Sequence, residues 1–221
     1  RGHGESDWHP KGEYGVESFR QDLVNILRQI DQPAALVGAS LGGLVSMAIA
    51  GDDEYKSLCW ALVMVDIGIH PNSKGAEEII SFMQSGADGF EYIEAVADAI
   101  GRYLPHRKRP ADNSGLEKNL RLGSDQRYYW HWDPAFLDPR WREISSSRRE
   151  KYREFANHVT SPTLLVRGAI SNILTDEETE DFLTTIEHSE YVEIRDAAHM
   201  VAGDRNDIFA QRAIKFLIKN K

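Results

Sequence analysis

Gly38-Ala39-Ser40-Leu41-Gly42 forms a G-x-S-x-G pentapeptide, the pattern in which a serine on a tight strand-to-helix turn can act as a nucleophile. Bulky neighbours would clash in such a turn, and Gly38, Gly42 and Gly43 supply the small residues expected around it. The plainer reading is a glycine-rich structural turn. A serine hydroxyl attacks only when a positioned base takes its proton, so a histidine must arrive from elsewhere in the chain. There are eight histidines. His3 and His9 precede the serine, and His70, His106 and His131 lie in or beside a long interruption of the strand pattern. His158 and His188 sit in polar, surface-like sequence. His199 alone follows a strand-like run late in the chain, in a loop of small residues, which makes it the candidate base. Its plainer reading is a loop histidine bonded to nearby Asp196.

The elements that must position these residues are legible as patterns. Val16, Phe19, Leu23, Ile26, Leu27 and Ile30 recur at steps of three and four, which predicts an amphipathic helix before Pro33. Ala34 to Val37, Cys59 to Val65, Thr163 to Val166 and Tyr191 to Ile194 read as four short buried strands. Helical sequence separates them, with Leu44 to Ala50 directly after the serine turn. Strands buried on both faces with helices between them imply a mainly parallel sheet. Between the second and third strands the rhythm breaks from about residue 70 to residue 160. Ala76 to Met83 and Phe90 to Tyr103 read there as helices. They are followed by a basic loop, Pro105-His106-Arg107-Lys108-Arg109-Pro110, and an aromatic run, Tyr128-Tyr129-Trp130-His131-Trp132. The expected organisation is an α/β core of residues 1–69 and 158–221 with a helical cap inserted at residues 70–157. Ser145-Ser146-Ser147 reads as a solvated turn entering a helix.

Composition narrows the function classes. The chain has 221 residues, 41% of them hydrophobic and 28% charged, in the range of an ordinary globular domain. Its formal net charge is -9, and no basic stripe with interleaved aromatics stands against that field, so no nucleic-acid partner is expected. No apolar run approaches the roughly 20 residues of a membrane-spanning helix. The single cysteine, Cys59, excludes an internal disulfide and a thiolate metal cluster and fits a cytoplasmic location. The first residue is Arg1, with no leader pattern after it, and a processed or truncated start is expected.

These residues resemble the α/β-hydrolase superfamily, specifically its cap-bearing, esterase-like serine hydrolases. Arg1-Gly2-His3-Gly4-Glu5-Ser6 is similar to that family's loop after the fourth strand, Gly38 to Gly43 to its nucleophile elbow, Pro162 to Gly168 to the strand before its acid, and His199 to its base. The resemblance covers nearly the whole chain outside the cap. It implies a sheet of eight strands of which the last four are represented here, the N-terminal four and their half of the oxyanion hole lying upstream. It implies Ser40 as nucleophile, His199 as base and the Leu41 N–H as one oxyanion donor. No metal and no organic cofactor are implied.

For the acid the sequence leaves alternatives. The family usually has an aspartate where this chain has Asn172, and an amide cannot supply the charge that stabilises an imidazolium. Asp66 ends the second strand, where relatives in the haloalkane dehalogenase branch place their acid; otherwise it caps local backbone groups. Asp176 and Glu177 open a helix, where acids are favoured anyway. Trp130, with Tyr128 and Trp132, could line an apolar pocket or form the cap's own small core. The expected substrate is a small carboxylic ester or related acyl compound. The rival reading is an impaired homologue that binds a small molecule without turning it over. Oligomeric state is left open.

Overall fold

The computed structural model describes residues 1–70, 73–109, 112–142 and 146–221. Pro110 of the basic loop and Ser145 of the serine turn lie outside the described residues. The elements in order are α1 (Val16–Ile30), β1 (Ala34–Ala39), α2 (Leu41–Ala50), β2 (Cys59–Val65), α3 (Ser73–Gln84) and α4 (Ile93–Tyr103). Then come β3 (Leu120–Leu122), β4 (Tyr128–Trp130), α5 (Pro139–Arg142), α6 (Ser146–His158), β5 (Thr163–Gly168), α7 (Asp176–Thr185), β6 (Glu190–Ile194), α8 (Val201–Asp204) and α9 (Asn206–Asn220). They form two compact units, Arg1–Tyr14 with Ala76–Glu143, and Gly15–Gly75 with Ile144–Lys221. The N-terminal segment therefore groups with the inserted residues, and α6 groups with the sheet, so the units divide at other points than the expected 1–69, 70–157 and 158–221.

The larger unit holds a four-stranded sheet in the order β1-β2-β5-β6 with every neighbouring pair parallel. Parallel pairing places all four C-terminal strand ends on one edge. Alternate residues of the strands face opposite layers. Ala61, Val63, Val65, Leu164, Val166 and Ile194 pack with Ala213-bearing α9 through Phe216. On α2, every residue from Gly43 to Ala50 is buried and none is charged. A helix apolar on all sides has to be covered on all sides. It packs on β1, β2, α1 and α6. At its C-terminus a Cβ on Gly51 would lie 1.9 Å from the Phe155 carbonyl oxygen, so only glycine admits α6 this close.

Two expectations change. Burial on both faces holds for the central strands β2 and β5, whereas β1 exposes Val37 and β6 exposes most of its length. The reason is position: the outer strands of this sheet have a neighbour on one side. On α1 the buried pair is Val24 and Leu27, while Ile26 and Ile30 of the apolar stripe are exposed, because the stripe is wider than the face that meets α2.

The smaller unit contains more than helices. β3 and β4 form an antiparallel hairpin, Leu120 opposite Trp130, extended by a bridge from Phe90 to Tyr128. Phe90, Val96, Ala99 and Trp130 make its core, with Phe82 and Trp132 packed against them. The N-terminal segment is tied to the same unit. The Asp133 N–H donates to the Gly2 carbonyl at 2.8 Å, and the Tyr14 hydroxyl donates to the buried Asp133 carboxylate. Gly2 sits at φ 72° with the Tyr14 ring where a Cβ would be, so this turn requires glycine. Burial is the first cause that pushes the Tyr14 hydroxyl above its ordinary range, and its bond to Asp133 adds to it.

Candidate active site

Ser40 stands between β1 and α2 at φ 50°, ψ −118°, outside the regions a non-glycine residue ordinarily occupies. Backbone bonds on both sides hold it there. Its N–H donates to the Val65 carbonyl at 3.0 Å, and its own carbonyl accepts the N–H groups of Gly43 (2.9 Å) and Leu44 (3.2 Å). The turn is tight enough that a Cβ on Gly38 would lie 2.2 Å from the Gly42 carbonyl oxygen, and one on Gly43 would lie 2.6 Å from Ile67 Cγ2. Gly42 is different. A Cβ there meets nothing within 4 Å, so the expected need for a small residue at this position does not hold: it points away from the turn. Leu41 opens α2. Its N–H has no carbonyl a turn earlier to bond, as at any helix start, and is free to meet a negative charge.

Asp66 directly follows β2, also at positive φ, 53°. It has no exposed surface. Burying a carboxylate is costly unless its lone pairs are met, and here they are. Oδ1 accepts the Gly168 N–H at 2.9 Å. Oδ2 accepts the Ser171 hydroxyl and lies 2.8 Å from His199 Nδ1. The Asp66 N–H continues the sheet ladder to the Val166 carbonyl at 2.7 Å. Close packing at Gly168 maintains this arrangement, since a Cβ there would lie 2.3 Å from the Ala198 carbonyl oxygen in the loop that carries His199.

An ionised carboxylate can only accept, so the Nδ1 of His199 is the donor, and in the neutral imidazole this leaves Nε2 with a lone pair. The His199 ring is 13% exposed. Its loop is secured by the Ala198 N–H donating to Asp204 at 2.8 Å. The plainer reading of His199 paired with Asp196 is not what the fold provides: Asp196 points to solvent and lies 3.4 Å from Arg205.

Thus Asp66 and His199 are brought together, on the strand-end edge that also carries Ser40 and Leu41. Asn172 is exposed, and its backbone carbonyl lies against Gly75. Asp176 opens α7 and pairs with Arg167. Trp130 lies inside the small unit's core, stacked on Trp132 at 4.8 Å, tilted against Phe82 and edge-on to Phe90, each at 5.4 Å. With 6% of its surface exposed it packs in that unit's core, the plainer of its two readings. Arg109 of the basic loop pairs with Asp98. Sequence reasoning missed Ser171 and the Gly168 N–H, whose signal is faint: a hydroxyl and a glycine in the loop that follows β5.

Among the described residues no group of three or more His, Cys, Asp or Glu side chains is gathered as a metal ion would require. No helix among them is long and apolar enough to cross a membrane.

A parallel sheet with a strained serine turn and a histidine–aspartate pair at its strand ends defines the class of protein, and comparison with known proteins agrees. The model of the alpha/beta hydrolase fold family matches residues 1–205. A 3-hydroxybutyrate-oligomer hydrolase of Cupriavidus necator is 25% identical over 210 residues, covering 90% of this chain and 70% of that protein. An esterase of Mycobacterium tuberculosis is 26% identical over 215 residues, covering 92% of this chain and 67% of that one. Among solved structures, that of an E-2-(acetamidomethylene)succinate hydrolase superposes with a TM-score of 0.82 at 22% identity, over 98% of this chain and 78% of that one. The chain belongs to the α/β-hydrolase fold family. Within it, the chain is carboxylic ester hydrolase-like.

Proposed function

We propose that the protein is a serine hydrolase of small carboxylic esters, with Ser40 as nucleophile, His199 as general base and Asp66 as the acid that orients it. The observation that carries this reading is the 2.8 Å contact between His199 Nδ1 and the fully buried Asp66 carboxylate. That contact sits on the edge where the strained Ser40 turn ends its own strand. The related hydrolase of C. necator and esterase of M. tuberculosis support the substrate class.

In this mechanism His199 Nε2 takes the Ser40 hydroxyl proton as Oγ attacks the ester carbonyl carbon. The carbonyl electron pair moves onto oxygen, and the Leu41 N–H at the start of α2 donates to the oxyanion. Collapse expels the alcohol, which takes the proton from His199, and leaves an acyl group on Ser40. Water then attacks the acyl carbon, giving its proton to His199, and the second collapse returns that proton to Ser40 and releases the carboxylic acid. Asp66 stays ionised throughout, holding Nδ1–H and stabilising the imidazolium. No step calls for a metal or an organic cofactor.

The test is hydrolysis of p-nitrophenyl acetate and butyrate together with labelling by a fluorophosphonate probe. The expected result is turnover with the label on Ser40, and a loss of about 10⁴-fold or more in kcat for Ser40→Ala with the label gone. Folded protein that neither turns over these esters nor takes the label would sink the reading and favour a small-molecule binding role.

A further inference from the structure

We propose that Ser171 is a positioning residue of this site: its hydroxyl fixes the Asp66 carboxylate in the orientation that meets His199 and moderates the charge it presents to the imidazole. The inference rests on the proposed roles of Asp66 and His199 and extends them to a residue 105 positions from Asp66 in the chain.

A hydroxyl has one proton to give. Ser171 Oγ accepts the Ile173 N–H at 3.1 Å, which occupies a lone pair and turns the O–H away from the backbone. Its proton goes to Asp66 Oδ2, the same oxygen that meets His199 Nδ1, while the Gly168 N–H holds Oδ1. The carboxylate is thus held at both ends, and rotation about its last side-chain bond would break at least two bonds to a buried charge, each worth more than an ordinary hydrogen bond. Ser171 also competes with the imidazole. A proton donated to Oδ2 draws charge from that oxygen, so His199 faces a softened anion. A hydrogen bond to the charged form of a group stabilises that form, and removing it shifts charge back toward the remaining partner.

The expected consequence of Ser171→Ala is therefore twofold. Asp66 loses one restraint, and the fuller charge on Oδ2 stabilises imidazolium, so His199 titrates at higher pH. The other charged groups at this loop are untouched, since Asp204 remains bonded to the Ala198 N–H and Asp196 remains beside Arg205.

The experiment follows the His199 imidazole carbon-bound protons by NMR against pH in the parent, Ser171→Ala and Ser171→Thr, beside steady-state p-nitrophenyl butyrate hydrolysis. The titration of Ser171→Ala is expected to move up by about half a pH unit. Its kcat should fall roughly tenfold with KM within about twofold, the signature of a group that acts in the chemical step. The acidic limb of its pH–rate profile should move with the titration. Ser171→Thr, which keeps the hydroxyl, should restore both. An unchanged His199 titration in Ser171→Ala overturns the inference, because a merely structural serine would not move it. Should Ser171→Ala not fold, Ser171→Cys, a far weaker donor, carries the same readout. The titration needs no turnover, so hydrolysis that survives Ser40→Ala would end the proposed function while leaving Ser171 separately tested.

Discussion

At the scale of single residues, the acid is the informative position. Asp66 and Asn172 each follow a strand, and on residue type and place alone each has a claim. Solvation separates them. Asp66 is wholly buried, and its carboxylate meets two side chains, Ser171 and His199, and the Gly168 backbone N–H. Asn172 is exposed. A new carboxylate at position 172 would find His199 Nδ1 already taken. Asn172→Asp is accordingly expected to change kcat/KM for p-nitrophenyl butyrate by less than about threefold, a surface-like effect. A gain of a hundredfold would mean that the histidine exchanges partners and that Asp66 is a structural cap. Ser40 and Asp66 share a further property, positive φ on a side-chain-bearing residue. Such conformations persist only where surrounding bonds hold them; here the bonds to Val65, Gly43 and Leu44 hold Ser40 and the bond to Val166 holds Asp66.

At the scale of elements, what was legible in the sequence is what local chemistry dictates. The β2 limits, Cys59 to Val65, follow from a continuous apolar run, and α2 follows from apolar residues after a glycine-flanked serine. His199 is legible because it alone follows a late strand in a loop of small residues. Contacts between distant segments left little trace. Ser171 reaches Asp66 across 105 residues and His199 reaches it across 133, and no local pattern encodes either pairing. The hairpin of β3 and β4 escaped because its strands have three residues each, too few for a period to show, and an aromatic run reads as easily as a core or a pocket. Gly42 misleads for the opposite reason. Three glycines about a serine look equivalent in sequence, yet only Gly38 and Gly43 face atoms within 3 Å.

At the scale of the whole molecule, both compact units carry a histidine whose protonation burial disfavours. His70, in the larger unit, lies below the ordinary imidazole range chiefly through desolvation, with Arg153 and Arg149 adding to the effect. His131, in the smaller unit, is lowered first by desolvation and then by His3 and Arg121. Below the ordinary imidazole pKa of about 6.5 the unfolded chain takes up protons that these folded positions resist. Stability from this source is complete above that pH and is lost as pH falls through the depressed folded values. The melting temperature should therefore drop between pH 7 and pH 5, and His70→Gln should flatten part of that drop; an equal slope in the variant would remove His70 from the explanation. The proposed function draws on four strand ends meeting at one edge, with Asp66 after β2 assigned as the acid. The measurement that bears on this most directly is kcat/KM of Asp66→Asn for p-nitrophenyl butyrate beside the parent. A fall of roughly 10⁴-fold in a folded variant is the predicted result, because an amide leaves His199 in the wrong tautomer and its imidazolium without a counter-charge. Turnover within a few-fold of the parent would contradict the assignment of the acid and with it the account of the site.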